Sequence, residues 1–133
     1  MSKLKTKSEI NIEAANKLIE ISLYAPSVHC SYYSCFQLLK YKIKNFFGKD
    51  YVLQSEEIYG NKIGSHQYVI NFISKELRQL SNIADSQSFR RKYKDLQQFR
   101  LESDYENIDI ISDQGLKAFK IAKEIRPYVQ EKF

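Results

Sequence analysis

Glycine and proline are scarce, at 4 and 2 in 133 residues. Few turn residues mean few turns and long elements, which excludes a sandwich or barrel, where turn signals recur roughly every 8–12 residues. Tryptophan is absent, and histidine and cysteine number 2 each. There is no CxxC and no metal-ligand spacing. Cys30 and Cys35 stand about 140° apart on a helix, so they cannot pair with each other. No apolar run approaches membrane-spanning length. The basic start, "MSKLKTKSEI", leads into no apolar h-region, so no signal peptide is expected. A Walker loop, a GxGxxG and a Ser-His-Asp set are also missing. The expectation is a soluble, reduced, cytoplasmic protein with no metal, no cofactor and no membrane contact.

What is present is globular: 43% hydrophobic and 28% charged residues. The length suits one domain, residues 1–133, with a core of its own. The net charge of +5 is compatible with nucleic-acid binding without requiring it. The aromatics are 10 Tyr and 8 Phe. Rings beside basic residues can stack on bases, and otherwise they pack.

Helical periodicity dominates. Residues 10–25 place Ile12, Ala15, Leu18, Ile19 and Ser22 on one face, and Pro26 is expected to end that helix. Residues 26–47 form the longest apolar stripe: Val28, Tyr32, Cys35, Phe36, Leu39, Ile43 and Phe46. This helix belongs at the centre. Residues 48–64 hold three of the 4 glycines and read as a loop, with room for a short helical turn. Residues 65–84 carry Val69, Phe72, Ile73, Leu77, Leu80 and Ala84, with Ser65 as cap. A fourth helix spans 86–108. A fifth starts near 113, capped by Ser112, and Pro127 should kink or end it. The pattern predicts an all-α, up-and-down four-helix bundle with an additional shorter helix.

One stretch stands out: "FRLESDYENI", residues 99–108. With Leu96 at zero on a helical wheel, Phe89 falls near 20°, Arg100 near 40°, Tyr93 near 60° and Asp104 near 80°. A cation and an anion therefore lie one turn apart along an apolar stripe. Tyr105 falls on the flank. Arg100 keeps its proton, so it needs an acceptor, and Asp104 is within reach at i,i+4. Three readings compete: a structural ion pair, a functional site in a cleft, and a stripe that emerges into water. Burial and satisfaction of Arg100 within one chain would favour the first; exposure in a basic dimer cleft would favour the second. A nucleotide-binding bundle would instead enclose a pocket lined by Tyr32 and Tyr33.

A second candidate is "RRKYKDLQQFR". Arg90, Arg91, Lys92 and Lys94 around Tyr93 suit phosphate contacts and base stacking. His29, beside Tyr32 and Tyr33, is the candidate to supply a base across the bundle. A wide separation from Arg100 would end that idea. His66, at a helix start, is expected to be exposed.

The segments "EAANKLIEISLYAPSVHCSYYSCFQLLKYKI" and "SHQYVINFI" resemble the first three helices of HEPN-domain proteins, the latter in a bacterial subgroup. "LQQFRLESDYENIDIISDQGLKAFKIAKEIRPYVQE" resembles that subgroup's end, with an arginine, then Asp-Tyr, then a Ser-capped last helix. The resemblance implies a four-helix bundle, usually a homodimer. It also implies a toxin–antitoxin or defence setting, RNA as ligand or substrate, and a minimal nucleotidyltransferase as partner. Nuclease members of the family carry an arginine, four to six residues, then a histidine. Arg100 matches the arginine. Asp104 and Tyr105 stand where the histidine would be, and no histidine follows His66. The implied function is binding of RNA or of the nucleotidyltransferase near Arg100, Asp104 and Tyr105, with metal-independent ribonuclease activity open. The alternative is a non-catalytic helical interaction module.

Overall fold

The computed structural model describes residues 3–133. Six helices follow one another: α1 (Lys3–Glu20), α2 (Tyr24–Asn45), α3 (Tyr51–Asn61), α4 (Ser65–Leu80), α5 (Ile83–Tyr105) and α6 (Ser112–Lys132). No strand occurs among the described residues, and the all-α expectation holds.

Helix α2 packs against α1, α4, α5 and α6, so it is the centre of the bundle. Its buried stripe is Val28, Tyr32, Cys35, Leu39 and Ile43. Facing it are Ile73 and Leu77 from α4, Phe89 and Leu96 from α5, and Ala118, Ala122 and Val129 from α6. The stripes run past the core at helix ends, where Phe46 and Leu80 lie exposed.

The most extensive contact joins α1 to α2. Small residues permit it: Ala15, Ser8, Ser31 and Ser34 are fully buried. A buried arginine from α6 ties this seam together. Arg126 donates to the Ser34 carbonyl at 3.0 Å and to the Ser8 hydroxyl, and Ser8 Oγ donates to the same carbonyl at 2.5 Å. Burial pulls the Arg126 pKa down. Where α6 starts, Gly115 meets α2. A Cβ there would sit 2.9 Å from Tyr24 Cδ1, so no larger side chain fits without movement.

Three sequence expectations are corrected. Pro26 does not end α1. The break comes earlier, at Ser22, whose φ of 61° is left-handed, and Leu23 N–H closes the turn on the Leu18 carbonyl at 2.8 Å. Pro26 instead sits in the first turn of α2, where its missing N–H has no intrahelical acceptor to serve. Residues 48–64 are mainly helical. Asp50 caps α3 by accepting the Leu53 N–H at 2.9 Å, and only Gly48 of the three glycines is left-handed. Of the two outcomes expected at Pro127, a kink or an end, the end is excluded, since α6 continues to Lys132.

The serine caps also differ. Ser65 and Ser112 are the first helical residues, preceded by Gly64 and Ile111. At α6 the cap is inverted: the Gln114 side chain accepts the Ile111 N–H at 2.9 Å.

Candidate functional site: an arginine under tyrosines

The period that packs Phe89, Tyr93 and Leu96 carries Arg100 into the bundle. Arg100 is 8% exposed. Its Nη2 donates to Tyr33 Oη at 2.9 Å and to Tyr105 Oη at 3.0 Å. Its Nε lies 3.3 Å from Asp104 Oδ2, close enough for ion pairing but off the line of a hydrogen bond. Three phenol rings surround the guanidinium. Its carbon is 5.3 Å from the centres of Tyr32 and Tyr33 and 5.1 Å from that of Tyr105. Such contacts add attraction through the ring quadrupole. Nη1 has no hydrogen-bond partner among the described residues.

The same Asp104 oxygen lies 2.8 Å from His29 Nδ1, which links α5 to the start of α2. The His29 side chain is 49% exposed and that of Asp104 is 19%. In the tautomer with its proton on Nδ1, toward the carboxylate, Nε2 is an acceptor. The imidazole lies 4.6 Å from Tyr33, ring centre to ring centre.

A second layer lies beneath. Tyr32 is fully buried, its Oη lies 2.5 Å from His66 Nδ1, and Tyr93 donates to Tyr32 at 3.1 Å. Burial pushes the Tyr32 phenol up to about 12, against opposing pulls from Tyr93 and Arg100. Burial drives the Tyr93 phenol well above its ordinary value. Burial, then the Arg100 and Lys40 charges, pull the His66 imidazole down. A neutral His66 can accept the Tyr32 proton, so geometry and electrostatics agree. The space around Tyr32 is filled by Tyr33, Phe36, His66 and Tyr93 rings.

Of the residues singled out in sequence, Arg100, Asp104, Tyr105, His29, Tyr32 and Tyr33 thus come together. The basic run does not. Arg90 bonds Asn71 at 3.0 Å on the α4 side, and Lys92 lies 3.4 Å from Glu124 on the α6 side. Arg91 and Lys94 are exposed. Tyr93 is 0% exposed, so base stacking on it is ruled out. His66 is half-buried, against the expectation of exposure. No local pattern marks it, since its partner Tyr32 is 34 residues away. No group of three or more His, Cys, Asp or Glu side chains among the described residues is placed to hold a metal ion. No helix among them is long and apolar enough to cross a membrane.

Fold and site together define a helical bundle with a cationic centre, lodged between its second and fifth helices and closed by phenols. The chain belongs to the HEPN-domain family, whose model matches residues 1–132. No curated protein and no solved structure matches it significantly.

Proposed function

We propose that this HEPN protein binds RNA and cleaves it without a metal ion, in a toxin–antitoxin or defence setting. The observation that carries the reading is that His29 and Arg100 converge on one carboxylate, Asp104. The histidine missing from the α5 motif is supplied by α2. His29 Nε2 takes the proton of a ribose 2′-OH, and the freed oxygen attacks the adjacent phosphorus. Arg100 Nη1 donates to the phosphorane oxygen. Tyr105, 69% exposed and held by Arg100, passes its proton to the departing 5′-oxygen. The products are a 2′,3′-cyclic phosphate and a 5′-hydroxyl.

The test is incubation of labelled cellular RNA with the protein, with and without EDTA. The expected result is cleavage that survives EDTA and falls about 10²–10⁴-fold in His29→Ala, the usual contribution of a general base. His29 is half-exposed, so this variant should stay folded, which circular dichroism checks. EDTA-sensitive cleavage, or equal cleavage by His29→Ala, rejects the mechanism.

One observation favours a second reading, a non-catalytic interaction module. Arg100 is largely buried, and Tyr33, Tyr105 and Asp104 of its own chain engage it. That is the signature of a structural pair. No cleavage by wild-type protein would select it.

HEPN domains often dimerise, and the proposal includes a homodimer that brings two clusters together. Sedimentation showing only monomer would reject that part. A minimal nucleotidyltransferase is the proposed partner, and co-expression followed by co-purification tests it.

A further inference from the structure

Helices α4 and α5 run antiparallel along one seam. Arg90 on α5 bonds Asn71 on α4, and one turn earlier Ser86 Oγ donates to the Ser74 carbonyl at 2.6 Å. As α5 advances, its partners on α4 retreat. At one end of the seam, His66 reaches the tyrosine layer beneath Arg100. Toward the other end, near the connection at residues 81–82, the seam opens into a groove of about 360 Å³.

This groove is chemically one-sided. Lys75, Arg78 and Arg90 line it, and no carboxylate does. Among the described residues neither Lys75 nor Arg78 forms an ion pair, and both are exposed. Asn71 and Gln87 add amide donors. Ser74, 7% exposed, also lines it, and its hydroxyl has no hydrogen-bond partner. Arg90 of α5 is bonded to Asn71 and so stands level with it; from there to Arg78 the positive lining extends about 10 Å along the seam, at about 1.5 Å per residue. That is longer than one phosphate. The apolar lining is one exposed side chain, Ile83, with no aromatic ring. A protein partner would instead call for an apolar, aromatic-rich centre.

We propose that the α4–α5 groove binds successive backbone phosphates of the RNA strand whose scissile bond lies at Arg100. Arg90 and Arg100 share α5 and are about 15 Å apart along its axis. A single strand can therefore track α5 from the groove to the cluster. The groove supplies affinity without sequence preference, and the cluster supplies chemistry. This inference rests on the RNA reading of the cluster, but its failure is separable from failure of the catalytic step.

The experiment is fluorescence anisotropy with a fluorescein-labelled single-stranded RNA, in a His29→Ala background so that the probe survives. Lys75→Ala/Arg78→Ala is compared with a control pair of exposed cations on α6, Lys120→Ala/Lys123→Ala, across a salt series. The groove pair should lower the slope of log affinity against log salt by about 1.4, at about 0.7 for each phosphate no longer neutralised. Arg90→Ala should lower it by about a further 0.7. The control pair should leave it unchanged.

A groove pair that behaves like the control, or no RNA binding at all, overturns the proposal. Displacement of the RNA by equimolar ATP at matched ionic strength also overturns it, because the groove would then be a mononucleotide site. Groove-dependent binding without cleavage by wild-type protein would instead sink the catalytic reading and leave the groove standing.

Discussion

Asp104 Oδ2 stands 2.8 Å from His29 Nδ1 and 3.3 Å from Arg100 Nε, so one oxygen both fixes an imidazole and neutralises a guanidinium. Asp104→Asn keeps the shape and removes the charge. If the site cleaves RNA, activity should fall about 10²–10⁴-fold, because the imidazole loses its tautomer and the support for its charged form. RNA affinity should fall far less. The fold should lose about 1–2 kcal/mol, since Arg100 keeps its tyrosines and Asp104 is partly solvated. Equal losses of binding and turnover would show that Asp104 only holds the strand.

His66 gives a prediction that needs no substrate. In the unfolded chain it takes a proton near its ordinary value of 6.5, whereas burial, Arg100 and Lys40 hold it neutral to lower pH in the fold. Between those two values the unfolded chain binds more protons, so stability falls as pH drops through 6.5. The urea midpoint should therefore fall more steeply between about pH 7.5 and 5.5 for wild type than for His66→Gln. Glu57 titrates below its ordinary 4.5, held down by hydrogen bonds from Lys49 and Tyr68. Its contribution is lost only at lower pH, outside this window. Parallel curves for the two proteins would contradict the account.

Helix α5 is legible in sequence because a 3.6-residue period puts Phe89, Tyr93, Leu96 and Arg100 on one buried face. The inward turn of Arg100 needs nothing more. Helix α3 is not legible, because three glycines in one stretch suggest a loop until Asp50 is weighed as a cap. The His29–Asp104 contact spans 75 positions and depends on how α2 and α5 cross, which no local pattern encodes. The end of α1 is misread from sequence because a proline is a visible breaker, whereas a left-handed serine is not. Ser22 carries strain that glycine would not, so Ser22→Gly should stabilise the protein by about 1 kcal/mol in urea unfolding. Gly115→Ala should act oppositely. Its new Cβ would collide with Tyr24 where α6 meets α2, at a cost of about 1–3 kcal/mol. An unchanged midpoint for Gly115→Ala would mean that α6 shifts freely at its first turn.

The bundle is built around α2, which packs against α1, α4, α5 and α6 and accepts a hydrogen bond from Gln54 of α3 at the Lys40 carbonyl. Its two long faces do different work. One packs closely on α1 through serines, with Arg126 across them. The other carries His29, Tyr32 and Tyr33 toward α4 and α5, where the polar cluster forms. The net charge of +5 is likewise uneven in effect. Part of it is held in ion pairs, such as Lys92 with Glu124 and Lys49 with Glu57. Lys75 and Arg78 stay open along the α4–α5 seam. If the seam binds RNA, raised salt should therefore weaken that binding well before it disturbs the fold.

The distance in sequence between His29 and Asp104 also has a consequence in time. A chain emerging from the ribosome presents α2 early, with its histidine and paired tyrosines, and nothing for them to act with. The carboxylate arrives only with the end of α5, 75 positions after the histidine, and the guanidinium on the same turn of helix. On the proposed chemistry, a nascent copy surrounded by ribosomal and messenger RNA therefore stays inert until α5 has emerged. On that chemistry, a fragment truncated before α5 should cleave no RNA.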